Sequence, residues 1–181
     1  AFYKLKDDGG FEAPTASHQH EGSSVRPNQK GPHAHCGAFD ATGNYALVCD
    51  LGADKVFVYK VDRATGAATQ IGAATMPPGC GPRHIHLLPS NDVAFVNGEM
   101  DMTANVVKLD FAAGKFDVVQ SVSTLPDGKP KAGDSTAETR IHPSGKFVYV
   151  SNRGNNTVAA FRWDGKALTP VGHAKEGIDM P

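Results

Sequence analysis

Cysteine is scarce in this chain. Cys36, Cys49 and Cys80 are too few and too scattered for a disulfide framework. Charge of one sign is also missing. The 18 Lys and Arg nearly balance the 19 Asp and Glu, and no basic run stands out, which argues against a nucleic-acid groove. No apolar run is long enough to cross a bilayer, and no signal peptide is visible, so no membrane partner is expected. The compartment stays open, with the cytoplasm favoured. Helical periodicity is absent too. Apolar residues crowd into short runs such as Lys55-Val-Phe-Val-Tyr and Phe147-Val-Tyr-Val, bounded by turn signals and dominated by β-branched and aromatic types. That pattern reads as strands.

What the chain has in quantity is turns and repeats. It carries 20 Gly and 12 Pro. A hairpin recurs three times, from His35 to Asp50, from Arg83 to Gly98 and from Ala137 to Asn152. The matched turn residues Gly43, Asn91 and Gly145 stand 48 and 54 positions apart. Each hairpin is followed by a third strand (Lys55–Lys60, Asn105–Asp110, Thr157–Arg162) and by a fourth across a Gly-containing turn. Four antiparallel strands in about fifty residues is the pattern of a β-propeller blade.

The expected fold is therefore all-β: three full four-stranded blades at 35–73, 83–123 and 137–173. Residues 1–15 match the third and fourth strands of an earlier blade. Propellers have about four to eight blades, so the chain reads as a fragment or as part of a closed ring. The remaining blades would come from elsewhere in a longer chain or from a second copy. A long polar connection at 16–34 and another at 125–136 are candidate functional loops.

The chemistry concentrates between Gly81 and Glu99. Arg83, His84 and His86 open one strand, and Glu99 closes the next. An antiparallel hairpin brings those ends together, so Arg83 and Glu99 are expected to be neighbours. Matched across the repeats, Cys36, His84 and Glu138 fall at one site; Ala38, His86 and Arg140 fall at the next, with the first blade the apolar member at both. Ionisable groups in such numbers are costly to bury unpaired, whereas a shared solvated pocket removes that cost. Three His-x-His pairs (His18/His20, His33/His35, His84/His86) raise the question of a metal, since imidazole is a good zinc ligand. With no Cys cluster and no fixed third and fourth ligand, the expectation is a pocket without metal or cofactor.

The segments Gly31-Pro-His-Ala-His35, Pro78-Gly-Cys-Gly-Pro-Arg-His84, Ala137-Glu138, Tyr149-Val-Ser-Asn-Arg-Gly154 and His20-Glu-Gly-Ser-Ser-Val25 resemble the lactonase family of seven-bladed propellers, which includes propeller-type 6-phosphogluconolactonases. The resemblance implies about half of a seven-bladed ring, a small-molecule lactone as partner, and a pocket of His33, His35, Arg83, His84, Glu99 and Glu138. Two residues depart from the family pattern. Gly98 stands where an Asn usually precedes the glutamate, and Arg140 where some members have His. The implied chemistry is hydrolysis of a sugar lactone, most simply 6-phosphogluconolactone. Glu99 or His35 would act as general base and Arg83 would stabilise the oxyanion. Arg140, Arg153 or Lys30 would hold a phosphate. A lactonising cycloisomerase and a non-catalytic binding platform are the alternatives.

Overall fold

The computed structural model describes residues 1–181 and contains fourteen strands and no helix. No helix is therefore long and apolar enough to cross a membrane. A two-stranded sheet, β1 (Phe2–Leu5) and β2 (Phe11–Ala16), comes first. Three four-stranded sheets follow in strict chain order. The first holds β3 (Ala34–Phe39), β4 (Tyr45–Asp50), β5 (Lys55–Val61) and β6 (Ala68–Thr75). The second holds β7 (Pro82–Leu87), β8 (Val93–Gly98), β9 (Thr103–Asp110) and β10 (Lys115–Ser123). The third holds β11 (Ser135–Ile141), β12 (Phe147–Arg153), β13 (Thr157–Trp163) and β14 (Leu168–Ala174). All neighbours pair antiparallel. These are propeller blades, each a simple up-and-down sheet, as the repeat of turn residues requires.

Successive sheets face each other across apolar layers. Leu47, Val56 and Val58 of the first four-stranded sheet meet Ala94, Val96 and Val107 of the second in one core. Phe95 and Val106 of the second meet Val150, Phe161 and Trp163 of the third in another. Val56, Val58, Phe95 and Val96 are fully buried, each contributing on the order of 1.5–3 kcal/mol by removal from water. The second strands β4 and β8 are thus packed on both faces, which explains their runs of apolar residues. The innermost strands lie side by side, β3 against β7 and β7 against β11, while the outer β6 lies against β10.

The register repeats as well as the strand order. The fourth strand of every complete sheet carries one extra residue: Ile71, Val119 and Val171. In the small sheet the same irregularity falls at Thr15 of β2. In this respect β1 and β2 pair as the third and fourth strands of the complete sheets do. Their sheet has no inner pair. A cavity of about 740 Å³ lies beside β1, walled by Phe2, Tyr3, Phe39, Val48 and Tyr59. Tyr3, Leu5, Phe11 and Phe39 are exposed around it.

Candidate functional site

Each innermost strand is interrupted at the same place. In β3 the pairing steps from Ala34–Asp50 to Cys36–Cys49, leaving His35 as the extra residue. In β7 it steps from Pro82–Gly98 to Ile85–Val96, and in β11 from Thr136–Asn152 to Thr139–Val150. One residue too many on each strand makes a β-bulge, which re-aims side chains. The bulged residues are His35, Arg83 with His84, and Ala137 with Glu138. A bulge also strips backbone N–H groups of their ladder partners, and those must be satisfied. The His84 N–H donates to Asn97 Oδ1 at 3.0 Å, and the Glu138 N–H donates to Ser151 Oγ at 3.1 Å. Asn97 is itself buried, donating to Thr136 Oγ1 at 2.7 Å, so it locks β8 to the adjacent sheet.

Three bulges at one end of adjacent inner strands bring their side chains together. Arg83 Nε lies 3.2 Å from Glu99 Oε2, an ion pair by distance without an aligned hydrogen bond. Arg153 donates to Glu99 Oε1 at 2.7 Å and to the Thr136 carbonyl at 3.1 Å. Glu99 is therefore held between two guanidiniums from different sheets. Arg83 also donates to the Ala137 carbonyl and approaches His84 Nε2 at 3.1 Å. His84 Nδ1 meets Glu138 Oε2 at 2.8 Å, and Arg140 reaches the same oxygen at 3.3 Å. The His35 ring lies 5.2 Å from the His84 ring and 6.4 Å from that of His33. Three guanidiniums against two carboxylates leave the cluster electropositive.

Electrostatics sorts the titratable groups. Burial holds His35 below the ordinary histidine value, and Arg83 and His84 push it the same way. Burial, then Arg140, lowers His86. Both imidazoles are therefore neutral near pH 7. Glu138 goes down as well: burial opposes ionisation, but the contact with His84, followed by the Thr139 N–H and Arg140, outweighs it.

The family described as "Lactonase, 7-bladed beta-propeller" matches residues 1–181. The chain belongs to this family. The Bacillus subtilis 6-phosphogluconolactonase is 34% identical over 161 residues, which is 88% of this chain and 45% of that protein. A Lactobacillus plantarum protein of known crystal structure superposes with TM-score 0.87 at 35% identity, covering 96% of this chain and 50% of the other. The Pseudomonas aeruginosa periplasmic gluconolactonase superposes with TM-score 0.85 at 26% identity, covering 98% of this chain and 50% of that one. The chain spans about half the length of the curated relatives it matches.

Within this lactonase-family chain the sequence-derived residues are distributed unevenly. His35, Arg83, His84, Glu99, Glu138, Arg140 and Arg153 form one contact network. His33 sits at its exposed margin, and Lys30 is exposed on the preceding loop. The first blade is not purely apolar at the matched site. Cys36 stays in register against the core, while the bulge turns His35 toward His84. The His-x-His pairs are split among separate partners. His18 bonds the Ala68 carbonyl; His20 bonds Asp50 and Tyr59; His86 Nδ1 accepts the Ile141 N–H. Asn97, not residue 98, supplies the amide that supports this hairpin. Gly98 is required where it stands, because a Cβ there would lie 2.1 Å from Asp101 Oδ1 and 2.6 Å from Cys80 Sγ.

Sequence reasoning passed over Asp50 and Asp54, which flank the β4–β5 turn. Both are buried, and both bind backbone N–H groups beside the cluster. Two acidic residues around Leu-Gly-Ala read as an ordinary polar turn. Only the packing of loop 16–34 over them reveals their work.

Proposed function

We propose that the protein containing this chain hydrolyses a sugar lactone, with 6-phosphogluconolactone the substrate suggested by the relatives' names. The observation that carries this reading is the junction of Arg83, Glu99 and Arg153 beside the half-buried His35 ring. His35 Nδ1 is buried without a hydrogen-bond partner, which leaves Nε2 as the nitrogen for chemistry. In the scheme, His35 takes a proton from water as the water oxygen attacks the lactone carbonyl carbon. Arg83 meets the negative charge that grows on the carbonyl oxygen. The ring C–O bond then breaks, and the departing alkoxide recovers the proton from His35. The product is the open hydroxy acid. Both Glu99 oxygens are engaged by arginine, so its role is to aim the two guanidiniums rather than to move the proton. His84 and Glu138 form the next wall, and His33 its rim. Arg140 is the most exposed of the three arginines and has a single side-chain partner, which suits it to a substrate phosphate. The scheme consumes no cofactor and routes no step through a metal.

The half-sheet β1–β2 is assigned to a blade completed by two further inner strands in the groove beside β1. The other three sheets already use all four of their strands, so a second copy has no spare inner pair to offer. The rest of a longer ring is the occupant this reading favours.

Steady-state opening of 6-phosphogluconolactone, followed by acid release in weak buffer, tests the proposal. Arg83→Gln is expected to lower kcat by roughly 10²–10³-fold, the scale for losing one oxyanion donor. His35→Gln is expected to remove the basic limb of proton transfer and lower kcat by about 10²-fold or more. Unchanged turnover in both variants would end the assignment.

A further inference from the structure

The cluster is set by backbone segments that are themselves held from below. Asp54 closes the β4–β5 turn, is 4% exposed, and adopts φ 50°, a conformation L residues rarely take. Its carboxylate accepts four hydrogen bonds. Oδ1 takes the Gly81 N–H at 2.6 Å and Gln29 Nε2 at 2.7 Å. Oδ2 takes the Gly79 N–H at 2.6 Å and Ser24 Oγ at 2.5 Å. All four partners are donors, and only an ionised carboxylate offers that many acceptor sites with no donor of its own. Gln29 is fully buried and also donates to the Leu51 carbonyl at 2.8 Å, tying the 24–29 turn to β4–β5. Arg26 Nε grips the Gly79 carbonyl at 2.7 Å.

These bonds lead directly to the site. The Gly81 carbonyl accepts the Glu99 N–H at 2.8 Å, and the Cys80 carbonyl accepts the Met100 N–H at 3.0 Å. Pro82 and Arg83 follow Gly81 in the chain. Gly81 has φ 63°, a conformation that suits glycine, and a Cβ there would lie 2.3 Å from Met100 Cε. At the other end of the same turn, Asp50 Oδ1 accepts the His33 N–H at 2.7 Å. One short turn thus reaches both arms of the cluster.

We infer that Asp54 is a positioning residue of the site, fixing Arg83 and Glu99 through Gly81 with the loop residues Ser24 and Gln29 as its clamp. It touches no reacting group. The inference rests on the lactonase reading only for its catalytic consequence; the geometry of Arg83 and Glu99 is measurable by itself.

Two readouts on the protein containing this chain separate these. The first is the titration of the His35 ring followed by NMR, because Arg83 and Glu99 both act on that imidazole. The second is lactone opening. Asp54→Asn turns two acceptor positions into donors facing donors. It is expected to raise the His35 midpoint, because of the two groups it fixes Arg83 lowers that imidazole more than Glu99 raises it, and to lower kcat more than it raises KM. The ring signals of His173, bonded to the Thr124 carbonyl in the last sheet, should be the same in parent and variant. Val58→Ala, a core truncation in the same sheet, supplies a variant that loses stability without touching the clamp; it should leave His35 where it was. If Asp54→Asn fails to fold, Ser24→Ala and Gln29→Met decide by the same two readings. Titration and kinetics indistinguishable from those of Val58→Ala would overturn the inference. A parent protein that opens no lactone, with the His35 shift still present, would sink the catalytic reading and leave the positioning role standing.

Discussion

Replacing Glu99 by Gln asks whether the two-arginine junction is a built feature or a surface coincidence. The carboxylate meets Arg153 at 2.7 Å and Arg83 at 3.2 Å, and the side chains of Glu99, Arg83 and Arg153 are only 21%, 17% and 25% exposed. At an effective dielectric of about 20, a pair at about 4 Å is worth roughly 4 kcal/mol before desolvation. Partial burial of three charges cancels much of that. Glutamine keeps the shape and one carbonyl acceptor, but it points an amide donor at one guanidinium and leaves two cations without a counter-charge. A net loss of about 2–3 kcal/mol is expected, the scale of a charged partner left unpaired. With a urea slope of about 2 kcal/mol/M, the unfolding midpoint should fall by roughly 1–1.5 M. A double-mutant cycle with Arg153→Met should return a coupling energy of at least about 1 kcal/mol. A loss below about 0.5 kcal/mol with no coupling is what exposed ion pairs give, and it would refute the idea that Glu99 aims the arginines.

Stability should depend on pH through the lowered histidines. His35 and His86 have folded-state values below the ordinary 6.5, so the unfolded chain binds more protons in that range. Their neutral burial costs nothing extra above pH 6.5, and stability should fall as pH drops from 6.5 through their folded values; a flat urea midpoint there would contradict this. Glu138 acts in a lower window, its contribution present above its ordinary value of 4.5 and lost as pH falls through its lowered folded value. Thiol labelling should find Cys36 first, because burial raises Cys49 and Cys80 and shields them; equal labelling of all three in the folded protein would be wrong for this structure. Light scattering of the chain alone should show association through the open groove, reduced by Tyr3→Ser with Phe11→Ser. A monodisperse monomer would argue that the groove needs no partner.

Much of the fold was legible because its signals are local. Turn residues at Gly43, Asn91 and Gly145 set the hairpins, and apolar second strands mark the layers between blades. The pairing of Arg83 with Glu99 followed from hairpin geometry, and that of His84 with Glu138 from repeat matching. Arg153 was legible only as a candidate phosphate ligand; its grip on Glu99 joins two sheets and has no trace in either one's sequence. His35 was singled out, but strict matching placed Cys36 beside His84. A one-residue bulge reverses that choice, and nothing in Ala-His-Cys-Gly announces it. Asp50, Asp54 and Gln29 were illegible for a different reason. Each binds backbone N–H or C=O groups of other segments, and backbone groups carry no residue code.

The bulges matter to function because they gather side chains from three strands at one place, and a ligand should report that directly. The ring signals of this chain's eight histidines, followed by NMR while 6-phosphogluconate is added to the protein that contains it, provide the measurement. Shifts of His35 and His84, with His33 and His86 smaller and His18, His20, His142 and His173 silent, are expected. A saturating response confined to His18 and His20, or none at any histidine of the bulged strands, would show that the gathered cluster does not receive the ligand.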